Sequence, residues 1–259
     1  ATRLFERTTR QLRLTDEGRI YLQHCRQALQ ALDDARAALS AEKKEIRGKI
    51  RVSATSDFGR HVLNPWLDEF TARYPQVVPA LLLSDSLSHL IADDVDLVIR
   101  FGVPPDSSLI ARPLAANRRV LCAAPSYLQR KGTPEHPRQL DEFDHIVAGQ
   151  SGWSSEWRLQ RGEEMMLFKV PLEAARETND GALARQWAID GHGIVLKSIW
   201  DVSADLAAGR LSLVLPQWQS DEAPVYALYP RSRYLAPRVR ALLDFLCERF
   251  EHASRETAL

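Results

Sequence analysis

No stretch of this 259-residue sequence is apolar for long enough to cross a bilayer. Its longest apolar runs, such as Pro79 to Leu83 and Val120 to Pro125, fall far short of the ~20 residues a membrane helix needs. The opening residues ATRLFERTTRQLRLT hold no apolar h-region, so no signal peptide is visible and a cytoplasmic chain without a membrane partner is expected. Cysteine is scarce: Cys25, Cys122 and Cys247 are odd in number and make no CxxC pair, which suits reduced, buried thiols rather than a disulfide framework. Net charge is lacking as well. Thirty-four Lys and Arg balance thirty-four Asp and Glu, which excludes a global basic field able to coat nucleic acid.

Catalytic templates are missing too. Gly149-Gln150-Ser151-Gly152 is one residue short of a nucleophile elbow, and Gly191-His192-Gly193 lacks the third glycine of a dinucleotide fingerprint and precedes a strand. There is no P-loop, no HExxH and no histidine pair at helical spacing, so no metal, no cofactor and no enzyme activity are expected. What is present is ordinary globular composition, 45% hydrophobic and 26% charged, at a length that fits one large domain or two smaller ones.

The one compact basic patch is at the start, where Arg3, Arg7, Arg10 and Arg13 face only Glu6. Leu4 to Leu14 reads as a small hairpin, whose arginines suit phosphate contacts; a solvated arm is the alternative. Thr15 then opens a helix with Asp16 and Glu17 in its first turn. Leu22, Cys25, Leu29, Leu32, Arg36, Leu39, Lys43 and Ile46 recur at spacings of three and four, a heptad seam. A helix of ~30 residues at 1.5 Å rise is ~45 Å long, too long for its own chain to cover, so pairing with a second copy is expected.

Gly48 ends that helix, and Lys49 to Tyr74 follows as a strand, a polar turn and an amphipathic helix. Thr55, Ser56 and Asp57 are three capping candidates, and the helix buries a stripe of Val62, Leu63, Trp66, Leu67, Phe70 and Tyr74. The turn is either a simple cap or an anion site. Val77 to Leu83 is continuously apolar, as the middle of a parallel sheet would be, and Ser84 to Asp94 reads as a loop and short helix. Val95 to Ile99 is a further strand ending in Arg100-Phe101-Gly102, and Leu109 to Leu114 reads as a connection.

A second unit repeats that grammar. Strands are expected at Arg119 to Ala124, His145 to Ala148, Met165 to Pro171, Glu173 to Glu177 and Ile194 to Leu196. Helices are expected after Pro125, after the cap Thr178-Asn179-Asp180-Gly181 and from Lys197-Ser198. Strands at Leu211 to Leu215 and Val225 to Pro230 and a helix from Pro237 close the chain. Ligands of such sheets bind outside the C-terminal strand ends, where Thr55, Ser56, Ser84 and Arg100 lie, and two joined units make a cleft.

The residues resemble a family. Leu4-Phe5-x-Arg7-x-x-Arg10-x-x-x-Leu14-Thr15-x-x-Gly18, then Gly48-x-Ile50-Arg51-Val52, Leu63-x-Pro65, Asp96-Leu97-Val98-Ile99-Arg100-x-Gly102 and Pro224-Val225-x-Ala227-x-Tyr229-Pro230 resemble LysR-type transcriptional regulators, in order and over nearly the whole chain. The resemblance implies an α/β fold of two Rossmann-like subdomains with type 2 periplasmic-binding-protein architecture, preceded by a long linker helix and a winged-helix wing. It places a wing remnant at 1–14, the linker and dimerisation helix at 15–47, subdomain I at 48–116 and 222–259, and subdomain II at 117–221. The recognition helix that precedes the wing in that family is missing from these residues, so sequence-specific DNA binding is expected of a longer parent.

By position, the family's effector pocket would use Thr55, Ser56, Arg100, Phe101, Thr178 or Asn179, and Lys197. DNA would meet Arg7 and Arg10, and a homodimer or homotetramer would form through Leu22, Cys25, Leu29, Leu32 and Leu39. The partners implied are promoter DNA and a small-molecule effector. Thr55, Ser56, Arg100 and Lys197 can all donate to a carboxylate, whereas Asp57 can neutralise the helix dipole itself and leaves a neutral effector open. A solute-binding protein without a DNA role is the alternative reading, but it has no use for a heptad helix.

Overall fold

The computed structural model describes residues 2–7, 12–39, 46–85, 95–103, 109–149, 156–231 and 235–257. β1 (Phe5–Arg7) and β2 (Leu12–Leu14) form the antiparallel hairpin that the alternation predicts. α1 (Asp16–Leu39) follows, with the Thr15 hydroxyl accepting from the Gly18 N–H at 2.9 Å and donating to the Arg3 carbonyl at 2.7 Å. One cap thus ties hairpin to helix. On α1, Leu22 and Cys25 are half-buried while Leu29 and Leu32 are more than 60% exposed, so part of the apolar seam is uncovered by its own chain. The predicted continuation through Lys43 and the side chain of Leu39 lie outside the described residues.

The first unit starts with β3 (Gly48–Ala54). α2 (Ser56–Phe58), a π-helical turn (Gly59–Leu63) and α3 (Asn64–Arg73) then run on without a break. β4 (Val77–Leu83), β5 (Leu97–Phe101) and β6 (Leu109–Ala115) come next. The second unit opens with β7 (Arg119–Ala123), α4 (Pro125–Lys131), a 3-10 turn (Pro137–Glu142) and β8 (His145–Ala148). It continues through the hairpin of β9 (Glu156–Arg161) and β10 (Glu164–Lys169), then β11 (Arg176–Thr178) and α5 (Gly181–Ile189). β12 (Ile194–Ser198), α6 (Ile199–Ala207), β13 (Ser212–Val214) and β14 (Gln219–Ser220) complete it. The chain then returns to the first sheet with β15 (Val225–Pro230) and ends in α7 (Pro237–Thr257).

Two five-stranded mixed sheets result, ordered β4-β3-β5-β15-β6 and β11-β8-β12-β7-β13, with a small antiparallel sheet β10-β9-β14 beside the second. Both crossings between the sheets meet at one place: Ala223 N–H donates to the Asn117 carbonyl at 3.0 Å, and the Asn117 side chain returns a bond to the Ala223 carbonyl at 2.8 Å. This is the two-subdomain architecture of periplasmic binding proteins.

The first core packs Ile50, Val52, Phe58, Trp66 and Phe70 against Leu242, Leu246 and Phe250 of α7. Phe58 stacks on Phe250 at 5.8 Å, and Trp200 of the second unit meets the same Phe250 edge-on at 5.0 Å, so an aromatic cluster joins the units. Gly59 permits a close approach, since a Cβ there would sit 2.2 Å from a Leu83 methyl and push that side chain aside.

Several expectations are corrected. β4 is an edge strand with Val78 59% exposed, because β5 pairs on the other side of β3; its apolar run reflects packing under the helical rod rather than a central position. Leu109–Ala115 is a strand, not a connection, and Pro113 is tolerated because β6 lies at the opposite edge. Of the predicted strand Glu173 to Glu177 only the end survives in β11, since a 3-10 turn (Leu172–Ala174) precedes it. Lys197 belongs to β12, and Ser198 caps α6 by accepting from the Trp200 N–H at 3.2 Å. The loop and short helix expected within 84–94 falls largely outside the described residues.

Candidate functional site

The strand-end rule brings two clusters together where the units touch. In the first, none of the three expected capping side chains caps its helix. Thr55 takes the cap position, but its hydroxyl makes no cap bond and is buried with no hydrogen-bond partner among the described residues. The cap is a residue 29 positions away: the Ser56 N–H donates to Asp85 Oδ1 at 2.6 Å, and the Ser56 hydroxyl lies 2.6 Å from Asp85 Oδ2 and 3.0 Å from Asp180 Oδ1. From the second unit, the Gly181 N–H at the start of α5 donates to Asp85 Oδ2 at 2.8 Å. One carboxylate is therefore held by two helix N-termini, one from each unit.

Arg100 borders this cluster. It is 94% buried, and its guanidinium donates to the Ile99 carbonyl at 2.8 Å and to Ser53 Oγ and the Ser84 carbonyl, both at 3.0 Å. Its Nε is buried with no hydrogen-bond partner among the described residues. Burial draws its pKa down to about 10, with the nearby Asp85 charge working the other way. Asp180 caps α5 by accepting from the Ala182 and Leu183 N–H groups at 2.8 and 3.2 Å. Burial works against its charge, yet these donors and the Ser56 hydroxyl hold it below the ordinary carboxylate value. The Thr178 hydroxyl accepts from the Asp180 N–H at 3.1 Å, Asn179 is exposed, and Phe101 is half-buried with its ring edge-on to Phe58 at 5.4 Å.

The second cluster starts one residue on. Asp57 points across the junction: its Oδ2 lies 2.6 Å from Lys197 Nζ and its Oδ1 accepts from Arg185 Nε at 3.0 Å. Lys197 also pairs with Asp201 Oδ2 and donates to the Gly181 carbonyl, both at 3.0 Å. Two carboxylates and one carbonyl thus surround the ammonium. Arg185 also bonds Asp205 Oδ2 at 2.5 Å, and Arg210 holds the other Asp205 oxygen at 2.6 Å. Arg185 NH2 meets His61 Nε2 at 2.7 Å, which makes that nitrogen an acceptor and places the His61 proton on Nδ1, 3.0 Å from Asp57 Oδ1.

Asp57 thus meets Lys197 and Arg185 across the junction, while Asp201 and Asp205 pair with Lys197, Arg185 and the half-exposed Arg210 within the second unit. Burial disfavours the Lys197 ammonium, but the Asp201 and Asp57 charges outweigh it and its pKa is raised. Burial, with the Asp57 charge adding to it, pushes Asp201 up to about 6 against the pull of Lys197.

Of the predicted pocket residues, Thr55, Ser56 and Arg100 gather at the first cluster, while Lys197 belongs to the second. Thr178 supports a cap and Phe101 packs in the core. Sequence reasoning missed Asp85 and Arg185, and named Asp180 only as part of the α5 cap, which it is. Asp85 had a signal, an acid directly after an apolar strand and beside Ser84. Arg7 ends β1, but its side chain and all of Arg10 lie outside the described residues.

The fold and these sites can be set beside known proteins. Residues 43–251 match the family model of the LysR substrate binding domain. An HTH-type transcriptional repressor of Pseudomonas aeruginosa (strain UCBPP-PA14) is 35% identical over 250 residues, 96% of this chain and 78% of that protein. The chain belongs to the LysR-type transcriptional regulators. Another relative, the HTH-type transcriptional regulator DmlR of Escherichia coli (strain K12), is 34% identical and covers 96% of this chain and 81% of its own length. Among solved structures, CrgA, a LysR-type transcriptional regulator from Neisseria meningitidis, superposes with a TM-score of 0.73 at 30% identity, over 96% of this chain and 84% of that one. Both clusters lie where the two sheets of this LysR-type regulator meet. No helix among the described residues is long and apolar enough to cross a membrane.

Proposed function

We propose that this chain senses a small-molecule effector at the junction of its two sheets and relays the change through α1 to promoter DNA, as part of a homodimer or homotetramer and without enzymatic activity. The observation that carries the reading is the convergence of Ser56 and Gly181, one from each unit, on a single carboxylate, with Arg100 alongside. Groups that hold a carboxylate from both sides of a cleft bias the angle between its walls when the ligand changes. A carboxylate effector suits the donors there. Residues 48–116 with 222–259, and 117–221, form the two subdomains in this reading, since the crossings tied through Asn117 and Ala223 separate two sheets. Residues 1–14 are the wing, with Arg7 and Arg10 on phosphates. Residues 15–47 form the dimerisation helix, which the exposed Leu29 and Leu32 support alongside Leu22, Cys25 and Leu39.

The test is a metabolite screen by thermal shift, followed by calorimetry of the hit against Ser56→Ala and Arg100→Ala. Each substitution is expected to weaken binding about tenfold, the worth of a hydrogen bond to a charged group. Unchanged affinity in both variants removes the site. Light scattering tests the seam: a strictly monomeric chain argues against the dimerisation helix.

A further inference from the structure

Asp85 is the unexpected member of the junction. It follows β4 directly, yet its carboxylate does what a bound ligand would do there. Oδ1 takes the Ser56 N–H, while Oδ2 takes the Gly181 N–H and lies 2.6 Å from the buried Ser56 hydroxyl. The α5 helix that supplies Gly181 spans Gly181–Ile189, long enough to carry a dipole, and a Cβ at position 181 would stand 3.1 Å from Lys197 Nζ and 3.5 Å from Asp85 Oδ2. The tighter of these two approaches is to the Lys197 ammonium, whereas the carboxylate would be in ordinary contact. Two further buried polar atoms adjoin the site and are unused among the described residues: Thr55 Oγ1, beside Ser56, and Arg100 Nε, on the side chain that bonds the Ser84 carbonyl. The 94% buried Arg100 thus keeps a donor that no group among the described residues takes up. Asp180 meets the same Ser56 hydroxyl, so two carboxylates crowd one donor.

We propose that Asp85 is a built-in occupant of the regulator's carboxylate site, and that an effector carboxylate binds by exchanging with it on Ser56 and Gly181. This rests on the cleft reading above and adds how the cleft is regulated. A tethered carboxylate competes at an effective concentration on the order of millimolar, so it masks the site against weak carboxylates. An effector wins by adding contacts that Asp85 does not make, and the unused Arg100 Nε selects a carboxylate carrying a second acceptor. Displacing Asp85 frees the residue that caps α2 and bridges to α5, so ligand exchange is also a change in how the units are held.

The experiment uses the 259-residue chain with Asp85→Ala, and acetate as the probe against chloride at equal ionic strength. Acetate is expected to raise the thermal midpoint of Asp85→Ala by several degrees more than that of wild type, and Ser56→Ala in the same chain is expected to abolish the difference. A variant that folds only with acetate supports the proposal equally. Acetate acting alike on both proteins overturns it. Should Asp85→Ala fold under neither condition, calorimetry of succinate against Asp85→Asn decides: binding about tenfold tighter than wild type is expected once the competitor has lost its charge, and equal or weaker binding overturns the proposal. The two readings fail separately. A metabolite that needs Ser56 but binds Asp85→Asn and wild type alike leaves the cleft standing and removes the exchange; acetate rescue of Asp85→Ala without any metabolite hit does the reverse.

Discussion

Ser56 and Asp57 are neighbours in sequence and serve opposite ends. Ser56 faces a half-buried cluster that holds one carboxylate through backbone N–H groups, whereas Asp57, 1% exposed, is locked between Lys197 and Arg185 of the other unit. The difference teaches what decides whether a polar junction can exchange its contents. Where every donor is matched by a fixed side chain and water is excluded, breaking one pair strands a charge and the contact behaves as structure. Where donors are backbone amides and one hydroxyl, a ligand can replace the occupant at little cost.

The largest test of that contrast is Asp57→Ala. It leaves Lys197 and Arg185 short of a carboxylate in a dry site, and a loss of about 3–5 kcal/mol in urea unfolding is expected, the usual cost of breaking one side of a buried pair. Ser56→Ala removes one hydroxyl from the neighbouring cluster and is expected to cost about 1 kcal/mol. Equal losses would erase the distinction between the two residues.

A second test uses pH. The Asp201 pKa is raised from 3.8 to about 6, mainly by burial. A raised acid binds its proton more tightly when folded, so its contribution is fully present below the unfolded pKa and is lost as pH rises through the folded one. Wild type is expected to lose on the order of 2 kcal/mol from this group between about pH 4 and pH 7, and Asp201→Asn to flatten that slope. Asp180 has the opposite sign. Its folded value is lowered, so its contribution is present above the unfolded value and disappears only at more acid pH, outside the window in which Asp201 acts. Parallel pH profiles of wild type and Asp201→Asn would remove the claim that the Lys197 cluster carries the dependence.

How far the sequence reaches differs between fold and site for a physical reason. Period and punctuation act over a few residues, so the strand that opens Lys49 to Tyr74, the Trp66–Phe70 stripe and the helix from Pro237 were legible. Sheet order is set by pairing between distant segments, which is why β4 looked central and β6 looked like a connection. The site is harder still. Thr55, Ser56 and Arg100 could be named because strand ends are a topological rule, but Asp85 meets Ser56 across 29 positions and Arg185 meets Asp57 across 128. Asp57 was visible only as a capping acid; its work as an inter-unit tie depends on partners that local pattern does not specify.

The smallest expected effect is the sharpest probe of burial itself, because the two clusters supply a matched pair of arginines. Arg185 bonds Asp57 at 3.0 Å with side chains 12% and 2% exposed, whereas Arg60 reaches Asp180 at 3.5 Å with side chains 45% and 38% exposed. Both pairs join the same two units. Water screens the second, so Arg60→Ala is expected to cost less than about 0.5 kcal/mol, and even that should vanish in 1 M salt, where the Debye length is about 3 Å. Arg185→Ala should cost several times more and resist salt, since its charge sits where counterions do not enter. If urea unfolding in low and high salt shows the two arginines losing stability alike, burial is not what separates these clusters, and Asp57 is as exchangeable as Ser56.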